Sequence, residues 1–227
     1  MADSTYILVP GAGGVAAYWR PVADELRRRG HEAIPVDLPG DDAEAGLTQY
    51  ADLLVAAADN RSAVVLVGQS MGAFPAAMAA ARLSASRLVL LNAMIPAPGE
   101  TPGDWWENTG QADARRANET AAGRNPDAPF DERSGFFHDV PAEVTREAFS
   151  RPERGQAGKP FGEPWPLAAW PDVPTSGIAG SDDRIFPLEF QQRVARERLG
   201  IELAVIPSGH LPSLSVPDAL VAAILGG

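Results

Sequence analysis

The feature that most constrains this chain is an alternation. Short, β-rich apolar runs appear at Tyr6–Val9, Ala33–Val36, Ala63–Val67 and Arg87–Leu91, and again at Thr175–Ala179 and Ile201–Ile206. Helical patterns lie between or after them, at Ala16–Arg29, Leu47–Ala58, Met71–Arg82, Pro187–Leu199 and Val216–Leu225. Strands that alternate with helices form βαβ units, whose right-handed crossovers lay the strands parallel and put helices on both faces. The expectation is an α/β fold with a mostly parallel, six-stranded sheet. Punctuation agrees: Gly30 follows the cationic turn Arg27-Arg28-Arg29, and Pro39-Gly40 and Asn60 fall between elements.

The alternation breaks from Ala97 to Pro171. That stretch is rich in Pro, Gly and charge, with aromatic clusters at Trp105-Trp106, Phe136-Phe137 and Trp165–Trp170. Helices are expected near Gly110–Ala122 and Pro141–Ser150. A long insertion between two sheet strands is a functional lid or a disordered segment, and the aromatics favour an ordered, largely helical cap. The 227 residues therefore read as one domain, 1–227, with a cap insertion at 97–171 inside it.

Composition removes several function classes. With no Cys there is no disulfide, no thiolate nucleophile and no Cys-ligated zinc or iron–sulfur site. The net charge of −11 argues against nucleic acid and anionic membranes as partners. No apolar run reaches the length of a membrane span, and no basic leader precedes Tyr6–Val9, so a cytoplasmic protein without a signal peptide is expected. The three His are spread over His31, His138 and His210, which disfavours a His-rich metal site. No metal and no cofactor is expected. The expected partner is a small-molecule substrate, and a homodimer is compatible with the sequence.

The strongest local motif is Gly68-Gln69-Ser70-Met71-Gly72, placed after a strand and opening a helix. G-x-S-x-G in that context is a nucleophile elbow, with Ser70 at positive φ above the sheet edge. Its blander alternative is a Gly/Ser turn at a helix N-terminus. A lone Ser is a weak nucleophile and needs a base with an orienting acid. His31 sits in a turn before the second strand and His138 lies in the insertion. His210 follows the last strand, at the sheet edge where open α/β sheets build their sites. The loop after the preceding strand supplies two carboxylates, Asp182 and Asp183; one is the acid and the other a surface or capping residue. One oxyanion donor is Met71 N–H, at the helix N-terminus, and the second comes from the turn Pro10-Gly11-Ala12-Gly13-Gly14.

The chain order Ser70, Asp182 or Asp183, His210 resembles that of the α/β-hydrolase superfamily, and the resemblance covers almost the whole chain outside the insertion. It implies that Asp183 is the acid, since the family pattern G-x-x-D-x-x-x-P places it there. It implies that the second oxyanion donor is Ala12 N–H, although Pro10 stands where the family usually has His. It also implies that the sheet begins at the family's third strand, two strands short of its eight-stranded core. Within the superfamily the chain looks most like the small esterase and hydroxynitrile-lyase-like branch. The lyases carry a Thr and a Lys where this chain has Gly11 and Leu211, which favours ester hydrolysis. The implied reaction is cleavage of a carboxylic ester of a small-to-medium apolar substrate through an acyl-enzyme on Ser70. Cap residues Trp105, Trp106, Phe136, Phe137, His138 and Trp165 are candidate substrate contacts, each with plain cap packing as its alternative.

Other readings use the same residues. A ligand receptor with a slow or silent triad, a C–C hydrolase and a cofactor-free oxygenase share this fold. Gly11-Ala12-Gly13-Gly14-Val15-Ala16 also matches a G-x-G-x-x-A dinucleotide fingerprint, with Asp37 near the place of a ribose-binding acid. That short-chain reductase reading leaves Gly68–Gly72, Asp183 and His210 without a role. The only Lys, Lys159, has Gly155 where such a reductase needs Tyr.

Overall fold

The computed structural model describes residues 4–152 and 154–226. Its elements run in chain order β1 (Thr5–Val9), α1 (Arg20–Arg28), β2 (Glu32–Pro35), α2 (Leu47–Ala58), β3 (Val64–Gln69), α3 (Ala73–Leu83) and β4 (Arg87–Leu91). Five helices follow before the next strand: α4 (Pro102–Asn108), α5 (Gln111–Ala121), α6 (Glu132–Phe136), α7 (Ala142–Ser150) and α8 (Lys159–Gly162). The chain ends with β5 (Thr175–Gly180), α9 (Leu188–Leu199), β6 (Leu203–Ile206), α10 (Pro212–Ser215) and α11 (Pro217–Gly226).

The six strands form one sheet in the order β2-β1-β3-β4-β5-β6, parallel at every pairing. Successive side chains of a strand point to opposite faces, and both faces are covered. Tyr6, Leu8, Val65, Val67, Val89 and Leu91 therefore pack with Val22 and Leu26 of α1 and Leu220 and Ile224 of α11. Their alternates Ile7, Val9, Leu66, Leu88 and Leu90 pack on the other face with Tyr50 and Leu54 of α2, Phe74 and Met78 of α3, and Phe190 and Val194 of α9. This is why the strands read as unbroken apolar runs.

Several helices differ from expectation. The stretch Ala16–Arg29 is split into a 3-10 turn at Ala16–Trp19 and then α1, because Pro21 fits only the first turn of an α-helix. The C-terminal pattern is likewise preceded by the short α10, and Pro212 and Pro217 open the two helices.

The topology positions the site. From β1 the chain winds outward to β2, then returns to the far side of β1 for β3. The loops leaving β1 and β3 therefore diverge from each other, opening a crevice at the C-terminal ends of these two strands. Register aligns those ends, with Val9 opposite Gly68, Gln69 opposite Leu91 and Gly180 opposite Ile206.

The residues between β4 and β5 are anchored by indoles and by ion pairs, the most buried of which is Glu100–Arg198. Trp105 donates to the Ile95 carbonyl (3.0 Å), Trp165 to the Phe74 carbonyl (3.2 Å) and Trp170 to the Pro96 carbonyl (3.0 Å). Glu100, buried, accepts from Ala97 N–H (3.0 Å) and Asn108 (2.9 Å), and pairs with Arg198 of α9 (2.9 Å). Glu163 accepts from Leu47 N–H (2.7 Å), satisfying an orphan donor at the start of α2. Among the described residues no helix is long and apolar enough to cross a membrane.

Candidate active site

The central strand β3 ends in a turn so tight that Ser70 takes φ 53°. Two glycines permit it. A Cβ on Gly68 would lie 2.8 Å from the Ala76 methyl, and one on Gly72 would lie 2.3 Å from the Pro10 carbonyl oxygen. Both distances are shorter than any carbon contact tolerates. Met71 sits in the 3-10 turn Ser70–Gly72 that leads into α3, where first-turn N–H groups lack an intrahelical partner.

The loop after β5 carries the two carboxylates, and their surroundings differ sharply. Asp183 is 2% exposed. Its Oδ1 accepts from Ile185 N–H (2.8 Å) and Phe186 N–H (2.9 Å), and its Oδ2 lies 2.7 Å from His210 Nδ1. The backbone thus fixes one carboxylate oxygen and leaves the other aimed at the imidazole. Asp182 is exposed, and its carboxylate accepts from the Ser181 hydroxyl (3.0 Å).

His210 is 2% exposed, with its ring between Phe136 (5.2 Å between centroids) and Phe186 (5.1 Å). Its loop is cross-linked by residues that no sequence motif singles out. Gln69 donates to the His210 carbonyl (3.2 Å), and its Oε1 accepts from Gly11 N–H (3.0 Å). Asn92, fully buried at φ 41°, donates to the Gly209 and His210 carbonyls (3.1 and 3.2 Å) and accepts from Gly180 N–H (2.8 Å). Asp139 accepts from Gly209 N–H (2.6 Å). The one signal of these roles was place: Gln69 is inside the elbow, and Asn92 ends a strand beside it.

Ala12, Ser70 and His210 line one cavity of about 120 Å³. Its other walls are mostly apolar, with Val15, Tyr18, Phe136, Phe137 and Leu211. A void of about 150 Å³ holds benzene, so this smaller one suits a short chain. Burial raises the Tyr18 hydroxyl pKa above its ordinary value, and the neighbouring Glu132 carboxylate adds to the rise.

Of the six candidate substrate contacts, the cavity brings in Phe136 and Phe137. Trp105 packs against Phe186 and Phe190 in the core, Trp106 stacks beside it, and Trp165 stacks on Trp170. The indole N–H groups of Trp105 and Trp165 are already engaged by carbonyls. His138 lies against Gly209, outside the cavity lining. Burial lowers its pKa and the Arg184 guanidinium lowers it further, while Asp139 and the Asp182 backbone pull the other way.

The glycine-rich turn also bears on the dinucleotide reading. Asp37 Oδ1 accepts from Ala16 N–H (3.0 Å) and its Oδ2 pairs with Arg154 (2.6 Å). Both oxygens that a ribose would need are held by the protein itself. Among the described residues no cluster of three His, Asp or Glu is placed to hold a metal ion.

Known proteins place the chain. The sequence model of the alpha/beta hydrolase family matches residues 6–223. No curated protein matches the chain in sequence. Solved structures share the fold: a pyrethroid hydrolase from Sphingobium faniae JZ-2 (23% identity, 99% of this chain and 97% of that one, TM-score 0.76) and an extracellular alpha/beta-hydrolase from a Paenibacillus species (18%, 99% and 98%, 0.77). A methylesterase from Arabidopsis aligns equally well (21%, 98% of each chain, 0.76). With the family model spanning nearly every element of the sheet and its helices, this chain belongs to the alpha/beta hydrolase family.

Proposed function

We propose that the protein is a serine hydrolase that cleaves carboxylic esters of small, apolar acyl groups. One observation carries the reading: Ser70 and His210 line the same cavity, and His210 Nδ1 lies 2.7 Å from the buried Asp183. A buried carboxylate with one oxygen fixed by two backbone N–H groups sets the imidazole tautomer, leaving Nε2 to act as base.

In this mechanism Ser70 Oγ attacks the acyl carbonyl while His210 Nε2 takes its proton. The Ala12 and Met71 N–H groups stabilise the tetrahedral oxyanion, a contribution of about 3–4 kcal/mol per donor. His210 then protonates the leaving alkoxide, and the acyl group remains on Ser70. Water, deprotonated by His210, attacks the acyl-enzyme and releases the acid. Asp183 holds the imidazole and stabilises the transient imidazolium. The residues between β4 and β5 serve as a cap, with Phe136 and Phe137 closing the acyl side.

The names of the solved relatives, a pyrethroid hydrolase, a methylesterase and a polyneuridine aldehyde esterase, support ester cleavage. The small cavity favours short acyl chains. The test is a p-nitrophenyl ester series from acetate to decanoate on wild type and Ser70→Ala. Expected is Ser70-dependent turnover that peaks at short chains. No turnover, or turnover unchanged by the substitution, sinks the reading. Tight ligand binding with negligible turnover replaces it with a receptor.

A further inference from the structure

The turn after β1 has an unexplained regularity. Gly11 N–H donates to Gln69 Oε1 (3.0 Å), Gly13 N–H to Gln156 Oε1 (2.9 Å), and Gly14 N–H to the Gly11 carbonyl (3.1 Å). Ala12 N–H alone has no partner among the described residues. Two glutamine carbonyls thus bracket it, one from the elbow and one from the insertion, 143 residues away in sequence. They pin the peptide planes on either side, Pro10–Gly11 and Ala12–Gly13. The Gly11–Ala12 plane between them is held at its carbonyl by Gly14 N–H, while its own N–H, on the residue Ala12 that lines the cavity, has no protein partner among the described residues.

We infer that Gln156 is a positioning residue for the oxyanion hole, so that the insertion completes the catalytic apparatus rather than merely covering it. The inference rests on the serine-hydrolase reading above. Pro10 offers the turn no polar side chain, and Gln156 supplies the missing support from outside. Its own place is fixed. Its Nε2 donates to the Tyr50 hydroxyl (3.3 Å) and to the Ala157 carbonyl (3.1 Å). Ala157 N–H in turn donates to the Gly40 carbonyl (2.6 Å). On its other flank Arg154 pairs with Asp37 (2.6 Å), whose second oxygen accepts from Ala16 N–H just beyond the turn (3.0 Å). The segment 154–157 lies across the oxyanion loop as a strap.

The test compares wild type with Gln156→Met, which keeps the volume and loses the acceptor, and Gln156→Asn, which keeps the amide and shortens its reach. Three quantities are read: kcat and KM on p-nitrophenyl butyrate, inhibition by phenylboronic acid as a tetrahedral mimic, and hydrogen exchange at the Gly13 amide. Both variants are expected to lose about 10–100-fold in kcat, less than a full oxyanion donor, with KM within about twofold. Boronate affinity should fall in parallel, and the Gly13 amide, protected in wild type, should exchange faster.

Wild-type kcat and boronate affinity in Gln156→Met would overturn the inference and leave the hydrolase reading standing. So would a rise in KM alone, which marks a substrate or packing contact. A wild type whose turnover does not depend on Ser70 overturns the reading and the inference together. If neither variant folds, fast exchange at Gly13 in wild type still overturns it, and slow exchange with normal Ala12 exchange supports it.

Discussion

On the sheet side of the cavity, short loops carrying Ser70, Asp183 and His210 are tied together by neutral amides; the residues between β4 and β5 are held by indoles, by the Glu100–Arg198 pair and by the strap at 154–157. Gln69 and Asn92 each bridge two of the loops around the cavity through main-chain atoms. Trp105, Trp165 and Trp170 pack the residues between β4 and β5 onto the rest of the fold, beside the Glu100–Arg198 pair. The difference separates two jobs. Hydrogen bonds to backbone set angles and distances, which catalysis needs to within fractions of an ångström. Ring packing supplies area and excludes water but tolerates small shifts. Damage on the sheet side should therefore appear in kcat, and damage among the insertion's anchors in stability.

The largest effect is expected at the acid. Asp183→Asn should lower kcat by about 10⁴-fold, because the amide cannot stabilise an imidazolium. Asp182→Asn should stay close to wild type. Steady-state kinetics on one ester decide between them, and a larger loss from the Asp182 change would reverse the assignment.

The insertion's anchor comes next. Glu100→Ala leaves the Arg198 guanidinium, Ala97 N–H and the Asn108 amide without their common acceptor. It should cost about 3 kcal/mol of stability while kcat of the folded protein changes little. Urea unfolding alongside kinetics checks both halves. A large kcat loss at unchanged stability would erase the division between the two walls.

Asn92→Ala probes the opposite wall. It strands Gly180 N–H and the Gly209 carbonyl, a cost of about 1–3 kcal/mol, and loosens the acid loop against the His loop. Here kcat should fall as well, by more than in Glu100→Ala. Equal kcat in the two variants would count against the comparison.

The smallest effect is a pH dependence. The folded state holds the His138 pKa below its ordinary 6.5, through burial and then Arg184. Between the folded value and 6.5 the unfolded chain binds more protons. Its contribution is present above about pH 6.5 and is lost as pH falls through that window. His138→Asn should therefore lose less thermal stability than wild type between pH 7.5 and 5. Parallel curves would show that His138 does not titrate with unfolding.

Legibility in the sequence follows the same division. The parallel strands announced themselves because both faces are buried, so their residues are apolar without interruption. Ser70 stands out in the sequence because its turn demands glycine at Gly68 and Gly72, and His210 because it is the one His after the last strand. Residues alone left Asp182 and Asp183 open; the resemblance chose Asp183, and burial with two backbone donors distinguishes it. Gln69, Asn92 and Gln156 were invisible as partners. A neutral amide carries no periodicity and no charge, and its partners are main-chain atoms brought near only by tertiary folding. Trp105, Trp106 and Trp165, by contrast, lie outside the cavity lining. An aromatic in an insertion looks alike whether it lines a cavity or fills a core, and the carbonyl accepting each indole N–H cannot be read from spacing. Helices as short as α4, α6 and α8 span too few turns to show a period.

The most direct measurement is to catch the acyl-enzyme. Wild-type protein mixed with excess p-nitrophenyl butyrate, quenched in acid within seconds and mapped by peptide mass spectrometry should carry a butyryl group on the peptide containing Ser70. The adduct should vanish in Ser70→Ala. An adduct on another residue that persists in Ser70→Ala, or turnover that continues there at the wild-type rate without any adduct, would contradict acyl transfer through Ser70.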